Sequence, residues 1–171
     1  MTSITSSKMY WNNGVNLHKT KNMMIQESIS RLEYLCKIIP SLLNDISVAD
    51  FLFKPSPEKW SKQQVLGHLI DSATNNHQRF IRVQFEDVPY IRYDQNQWNH
   101  YSFYHDLNTA ELIEFWRRYN LHLVEIIKRI EPSNLSRFCH TGGENPVTLE
   151  FLVNDYVQHL EHHLKELVNY P

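Results

Sequence analysis

Apolar residues recur every three or four positions in four separate stretches of this chain, and each stretch carries the flanking signals of a helix. Ile25, Ile29, Leu32, Leu35, Cys36, Ile39 and Leu43 mark the first, from about Ile25 to Leu43, with Pro40 placed to kink or close its last turn. The second runs from about Ser61 to Phe85: Ser61 with Gln64 three residues on is a capping box, and Val65, Leu66, Leu69, Ala73 and Phe80 form its apolar side. Asn108 and Glu111 repeat that signal ahead of a third stripe, Leu112, Trp116, Tyr119, Leu123, Ile126, Ile127 and Ile130, which Pro132 ends. The fourth is expected from about Val147 to Val168, after a loop containing Gly142-Gly143 and Asn145-Pro146, with Leu149, Val153, Tyr156, Val157, Leu160, Leu164 and Leu167 on one side. Four amphipathic helices predict an all-α chain folded as a four-helix bundle, an architecture that builds metal sites from side chains on facing helices.

Between the stripes the connections are long. Residues 1 to 22 are polar and aperiodic and read as a leader that drapes over the bundle through Tyr10 and Trp11, leaving 23 to 171 as a single helical domain. Lys54 to Trp60 is a proline-containing loop, and Asp87 to Leu107 is a polar, aromatic connection with a short helix expected around Asp94 to His100.

Composition narrows the function classes. A length of 171 residues suits one domain with a substantial core. A net charge of −2, with lysine and arginine scattered among acids, gives nucleic acid no electrostatic footprint. No run of about 18 apolar residues reads as a membrane span, and the N-terminus has no signal-like apolar region. Cys36 and Cys139 match no CxxC spacing, so a reduced, cytoplasmic protein is the expectation. There is no GxSxG and no glycine-rich phosphate loop, which argues against serine hydrolases and nucleotide binding.

Candidate chemistry concentrates in Asp155-Tyr156-Val157-Gln158-His159-Leu160-Glu161-His162-His163-Leu164. Residues four apart on a helix are offset by about 40°, so His159 and His163 share a face and can aim two imidazoles at one ion. His162 falls almost opposite the apolar stripe, although it too stands three residues from His159. Two ligands hold a metal weakly, and the second helix offers His68 and His77 as a third. Helical projection puts His77 nearer the apolar side and does not choose between them. Asp71, three residues after His68, and Asp155, four before His159, fall where each could orient an imidazole or accept a proton, or could equally be solvated surface carboxylates. Glu161 and Glu166 read as solvent-facing partners of Lys165 and its neighbours, and Tyr93, Trp98 and Tyr156 as core aromatics.

The string Trp60-Ser61-Lys62-Gln63-Gln64-Val65-Leu66-Gly67-His68-Leu69-Ile70-Asp71-Ser72, followed by Arg79-Phe80, resembles the second-helix motif of the DinB-like superfamily, in particular its YfiT-type members, assigned as metal-dependent hydrolases. Glu86-Asp87, the connection from Tyr93-Asp94 to Trp98, and Thr148-Leu149 before the HxxxHHL pattern fall in the family's order, so the resemblance covers roughly Trp60 to Leu167; the first helix shows no matching signature. The resemblance implies a bundle that binds one divalent metal, nickel or zinc first and manganese or iron as alternatives, through one histidine of the second helix and two of the last. Carried over by motif, these are His68, His159 and His163.

Three neutral imidazoles leave positions open for water, the arrangement of a catalytic rather than a closed site. Hydrolysis of a small molecule is the first expectation. The alternatives are transfer of a low-molecular-weight thiol such as bacillithiol, for which Arg79, Arg82 and Arg92 are the candidate cosubstrate groups, and a noncatalytic ligand-binding bundle. A homodimer through exposed bundle faces is a further expectation, by analogy.

Overall fold

Four long helices carry the fold: α1 (Asn12–Asn44), α3 (Lys62–Arg82), α5 (Thr109–Ile127) and α6 (Leu149–Leu167). The structure, a computed structural model, describes the backbone from Asn12 and the side chains from Met24 to Pro171. Short elements fill the connections: α2 (Val48–Leu52), α4 (Gln95–Tyr101), the 3₁₀ turns Tyr104–Asp106 and Pro132–Ser136, and the antiparallel pair β1 (Phe138–Cys139) and β2 (Val147–Thr148). α1 packs against α5 and α6, and α3 packs against the same two. Helices α1 and α3 therefore face each other across a diagonal, as do α5 and α6, which makes this a four-helix bundle whose sequence-adjacent helices are often not neighbours. Among the described residues no helix is long and apolar enough to cross a membrane.

The expected apolar stripes are the core. Leu32, Leu35, Ile39 and Leu43 of α1, Leu66, Leu69 and Phe80 of α3, Trp116 and Leu123 of α5, and Leu149, Leu160 and Leu164 of α6 are all fully buried. Boundaries differ in three places. The helix predicted from Ile25 begins at Asn12, so residues 12–22 of the expected leader are helical, while 1–11 of it lie outside the described residues. With no proline ahead of Pro40 to stop it, a helix nucleated by the packed stripe propagates back one hydrogen bond per residue. Val147 and Thr148 pair as a strand with Phe138 and Cys139, and α6 starts one residue later, capped by Thr148 accepting from the Phe151 N–H. The unforeseen α2 is capped by Ser47 and seats a fully buried Phe51.

Caps and clamps fix α3, the helix on which the site is built. The Ser61 hydroxyl accepts from the Gln64 N–H at 3.2 Å while the Ser61 N–H donates to Gln64 Oε1 at 3.1 Å, closing the expected capping box. The buried Gln63 amide donates to the carbonyls of Tyr104 (2.6 Å) and Leu107 (2.9 Å) and accepts from the Thr109 hydroxyl (2.6 Å). Asn99 donates to the Gln64 carbonyl at 2.7 Å. Together these bonds hold the connection between α3 and α5 down over the first turns of α3. At the other end Arg137 donates to the carbonyls of Val83 (2.6 Å) and Glu86 (2.8 Å).

Gly67 lets that connection approach. A Cβ there would lie 2.2 Å from Cδ2 and 2.3 Å from Cγ of the buried Tyr104 ring, so the ring rests directly on the α3 backbone. Replacing glycine inside a helix normally gains up to about 1 kcal/mol. Here the overpacking cost, about 1–3 kcal/mol, wins because the ring is pinned through its own carbonyl by Gln63. Gly67→Ala should therefore lower the urea unfolding midpoint, and adding Tyr104→Ala should return part of the loss. An unchanged midpoint in Gly67→Ala would show that the ring moves aside freely.

Candidate metal centre

His68, the residue after Gly67 on α3, is buried, and its ring meets those of His159 and His163 from α6 with centroids 5.2 and 5.0 Å away. The ligand-capable atoms of the three lie within 4.8 Å of one another. His159 and His163 face the same way because they stand one helical turn apart, with centroids 4.7 Å apart. Trp60, in the loop before α3, covers His68 at 5.1 Å.

The donor set suits a cation. His68 Nε2 and His159 Nε2 stand 3.3 Å apart. Two nitrogens each about 2.0–2.1 Å from a tetrahedral ion are separated by about 3.3 Å, so this spacing is already that of one coordination edge. Burial, then the neighbouring imidazoles, push His68 down to about 3, and the same causes push His159 down to about 4, so both carry free lone pairs at neutral pH. His163 Nδ1 lies 3.0 Å from Glu166 Oε2, an arrangement in which Nδ1–H donates to the carboxylate and Nε2 is left as an acceptor. His68 Nδ1 is buried with no partner among the described residues.

The two aspartates part company. Asp71 is buried, and the Tyr104 hydroxyl donates to its Oδ1 at 2.5 Å while Oδ2 has no partner among the described residues. Burial raises this carboxyl to about 6 against the opposing hydrogen bond from Tyr104. Asp155 is exposed on α6 and forms no hydrogen bond or ion pair among the described residues; partial burial raises its pKa and the charge of Arg79 opposes that rise. His77, the other candidate on α3, points to α5, with Nδ1 3.0 Å from the Tyr119 hydroxyl. His162 is exposed, 3.6 Å from Glu166 Oε1.

Sequence reading missed Tyr104 and gave Glu166 another partner. Glu161, not Glu166, is the partner of Lys165, and it also pairs with Arg31. The i, i+3 spacing of His163 and Glu166 was the available signal. Tyr104 comes from a 3₁₀ turn and no periodicity could assign it.

Residues 31–167 match the family model of the DinB superfamily. YfiT of Bacillus subtilis (strain 168), provisionally designated a metal-dependent hydrolase, is 26% identical over 110 residues, which span 63% of this chain and 62% of YfiT. A protein of Oceanobacillus iheyensis with the same designation is 22% identical over 151 residues, 86% of each chain. The solved structure of YfiT, described as a four-helix bundle of unusual topology, superposes with a TM-score of 0.75 at 19% identity, covering 96% of this chain and 89% of that one. A mycothiol-dependent maleylpyruvate isomerase superposes with a TM-score of 0.67 at 12% identity, covering 84% of this chain and 60% of the isomerase.

A pH dependence follows for the metal-free protein. His68 and His159 have folded pKa values of about 3 and about 4, below the ordinary histidine value of 6.5 that an unfolded chain restores. Between these limits the unfolded state binds more protons, so stability is intact above about 6.5 and is lost as pH falls toward about 4. Urea midpoints measured across that range should fall, and His68→Asn should flatten the slope. A midpoint unmoved by pH in the metal-free wild type would contradict the burial of these rings.

Proposed function

This chain belongs to the DinB superfamily, and we propose that it is a divalent-metal-dependent hydrolase of a small molecule, with His68, His159 and His163 holding one ion. The observation that carries this reading is the convergence of three imidazoles from two helices, at least two of them held neutral by burial. The designations of the B. subtilis and O. iheyensis relatives support the same class. Nickel or zinc suits an all-nitrogen donor set.

When bound, such an ion acts as a Lewis acid toward a carbonyl and activates water near neutral pH. The protein's residues do the rest. Glu166 holds His163 in the tautomer that leaves Nε2 free. Tyr104 fixes one oxygen of Asp71, leaving Oδ2 as a buried acceptor one helical turn from His68, positioned to take a proton from an attacking water. A carboxyl poised near 6 is matched to that task at neutral pH. Asp155, one turn before His159 on α6, is exposed and acts through space on Arg79.

A second reading, transfer of a small thiol, is supported by the likeness in fold to a mycothiol-dependent isomerase. A thiolate needs the same ion but no base to activate water. The two are separated by Asp71→Asn, which should slow hydrolysis by about 10²-fold or more and spare thiol transfer.

Metal content by plasma mass spectrometry tests the centre itself. Untagged wild type should carry one divalent ion per chain, lost in His68→Ala, His159→Ala and His163→Ala and kept in His77→Ala and His162→Ala. Wild type that stays metal-free after nickel, zinc and manganese are each supplied would overturn the proposal.

A further inference from the structure

An open cleft of about 360 Å³ lies against the histidine cluster, at the end of the bundle where α3 begins and α6 ends. Half-buried Trp60, Val65 and His163 line its inner side, and exposed Glu58, Lys59, Gln95 and Asn96 its rim. Hollows along α1 and α6, bordered by Arg31, Tyr34, Phe151 and Asn154, touch none of the three histidines. The walls of the cleft are fixed before anything binds. Trp60 directly precedes the Ser61 cap, and the Lys59 N–H donates to the Ser56 carbonyl at 3.1 Å, so the loop enters α3 through a closed turn. Asp94 caps α4 by accepting from the N–H groups of Asn96 (3.0 Å) and Gln97 (3.1 Å), and Asn99 ties the same helix to the Gln64 carbonyl. Gln95 and Asn96 are thereby held beside the first turn of α3.

Trp60 and Val65 occupy the two positions of a hydrophobic staple, the residue before the cap and the fourth of the helix, and that role accounts for an apolar side chain at position 60. It does not account for an indole. The ring reaches beyond the staple to His68, with centroids 5.1 Å apart and planes at 39°, and still contributes surface to the cleft. An aliphatic side chain would close the staple without presenting that aromatic surface, on which a flat partner can stack. The rim sets the remaining terms. Glu58 and Lys59 offset each other in charge, Gln95 and Asn96 are neutral amides, and Glu166 is taken up by His162 and His163, so nothing in the cleft selects an ionic group. An apolar cavity of about 150 Å³ is enough to admit benzene, so the cleft suits one ring with a short substituent.

We propose that this cleft receives the substrate, and that the substrate is a small molecule with one uncharged aromatic ring, stacked on Trp60 and joined by a short link to the group that reacts at the histidines. This rests on the metal reading for what the reacting end meets. Trp60 is then a specificity-determining residue.

Isothermal titration of the full, nickel-loaded chain with benzohydroxamate and cyclohexanecarbohydroxamate tests it. The two share a chelating group and nearly the same bulk, and differ in the flatness of the ring. Benzohydroxamate should bind about fivefold tighter, the size of an aromatic contact beyond its buried area. The preference should vanish in Trp60→Leu, which keeps an apolar cover on His68, persist in Trp60→Phe and be unchanged in Phe53→Leu, an exposed aromatic outside the cleft. Asn96→Trp, at an exposed position on α4, should obstruct the cleft, weakening benzohydroxamate by about tenfold while sparing acetohydroxamate, and it decides the matter should Trp60→Leu fail to fold. Equal binding of the flat and the saturated ring by wild type, no binding of benzohydroxamate, or a preference that survives Trp60→Leu would overturn the proposal. Both compounds are also titrated into metal-free protein. Affinities equal to those of the loaded form would overturn the metal reading, while the ring preference still decides on Trp60.

Discussion

Everything at this site depends on a helix that buries polar groups it cannot fully satisfy. Gln63, His68, Asp71, Ser72, Asn75 and Asn76 lie along α3 with almost no solvent contact. A buried polar group without a partner costs about 1–3 kcal/mol, so each of these needs a bond or a function. Gln63 is spent on the connection between α3 and α5, and the two asparagines on their own helix. Among the described residues His68 Nδ1 and Asp71 Oδ2 are left over, on residues three apart, with the His68 ring against the α6 histidines. Groups left unsatisfied at one place in an otherwise well-bonded helix mark where the sequence gives up stability for chemistry.

The topology supplies what the helix alone cannot. The links from α1 to α3 and from α5 to α6 cross an end of the bundle, while the link from α3 to α5 joins two neighbours and yet, instead of turning tightly, lies over the site. It delivers Tyr104 to Asp71, Tyr93 to Ser72 and the Ile91 carbonyl to Arg79. Its placement is fixed at both margins, by Gln63 and Asn99 near the start of α3 and by the pairing of Ile91 with His140 near the end. Gly67 is the corresponding concession on the helix, since any side chain there would occupy the space of the Tyr104 ring.

The four long helices and their caps were legible in the sequence because apolar period and capping chemistry are local. Ser61 with Gln64, Asn108 with Glu111, and the stripe from Leu149 to Leu167 each read directly as structure. The pair His159 and His163 was legible for the same reason, since one turn of helix settles it. His68 against His77 was not: helical projection puts His77 nearer the apolar side of α3, and only the neighbouring helix distinguishes them, α6 for His68 and α5 for His77. Resemblance to a family made that choice where periodicity could not. The polar stripe continuing through Ser72, Asn75 and Arg79 is regular enough to have been read, but its burial depends on a covering loop. Tyr104 had no sequence signal at all, because a residue in an irregular segment gains its address from the bonds that pin the segment.

The charge balance of the centre explains why the carboxylates stand back from it. Burial holds His68 and His159 neutral, so a divalent ion beside them would bring two uncompensated positive charges into a site already hostile to one proton. Glu166 behind His163 and Asp71 along α3 from His68 offer two negative charges at one remove. Held there, they would compensate a bound ion through the imidazoles and through space without occupying its coordination positions. Asp71, raised to about 6 by burial against the opposing hydrogen bond from Tyr104, would be driven toward its anionic form by a nearby cation. On the proposed reading Asp71 would be both a counter-charge to a bound ion and the base that a hydrolysis requires.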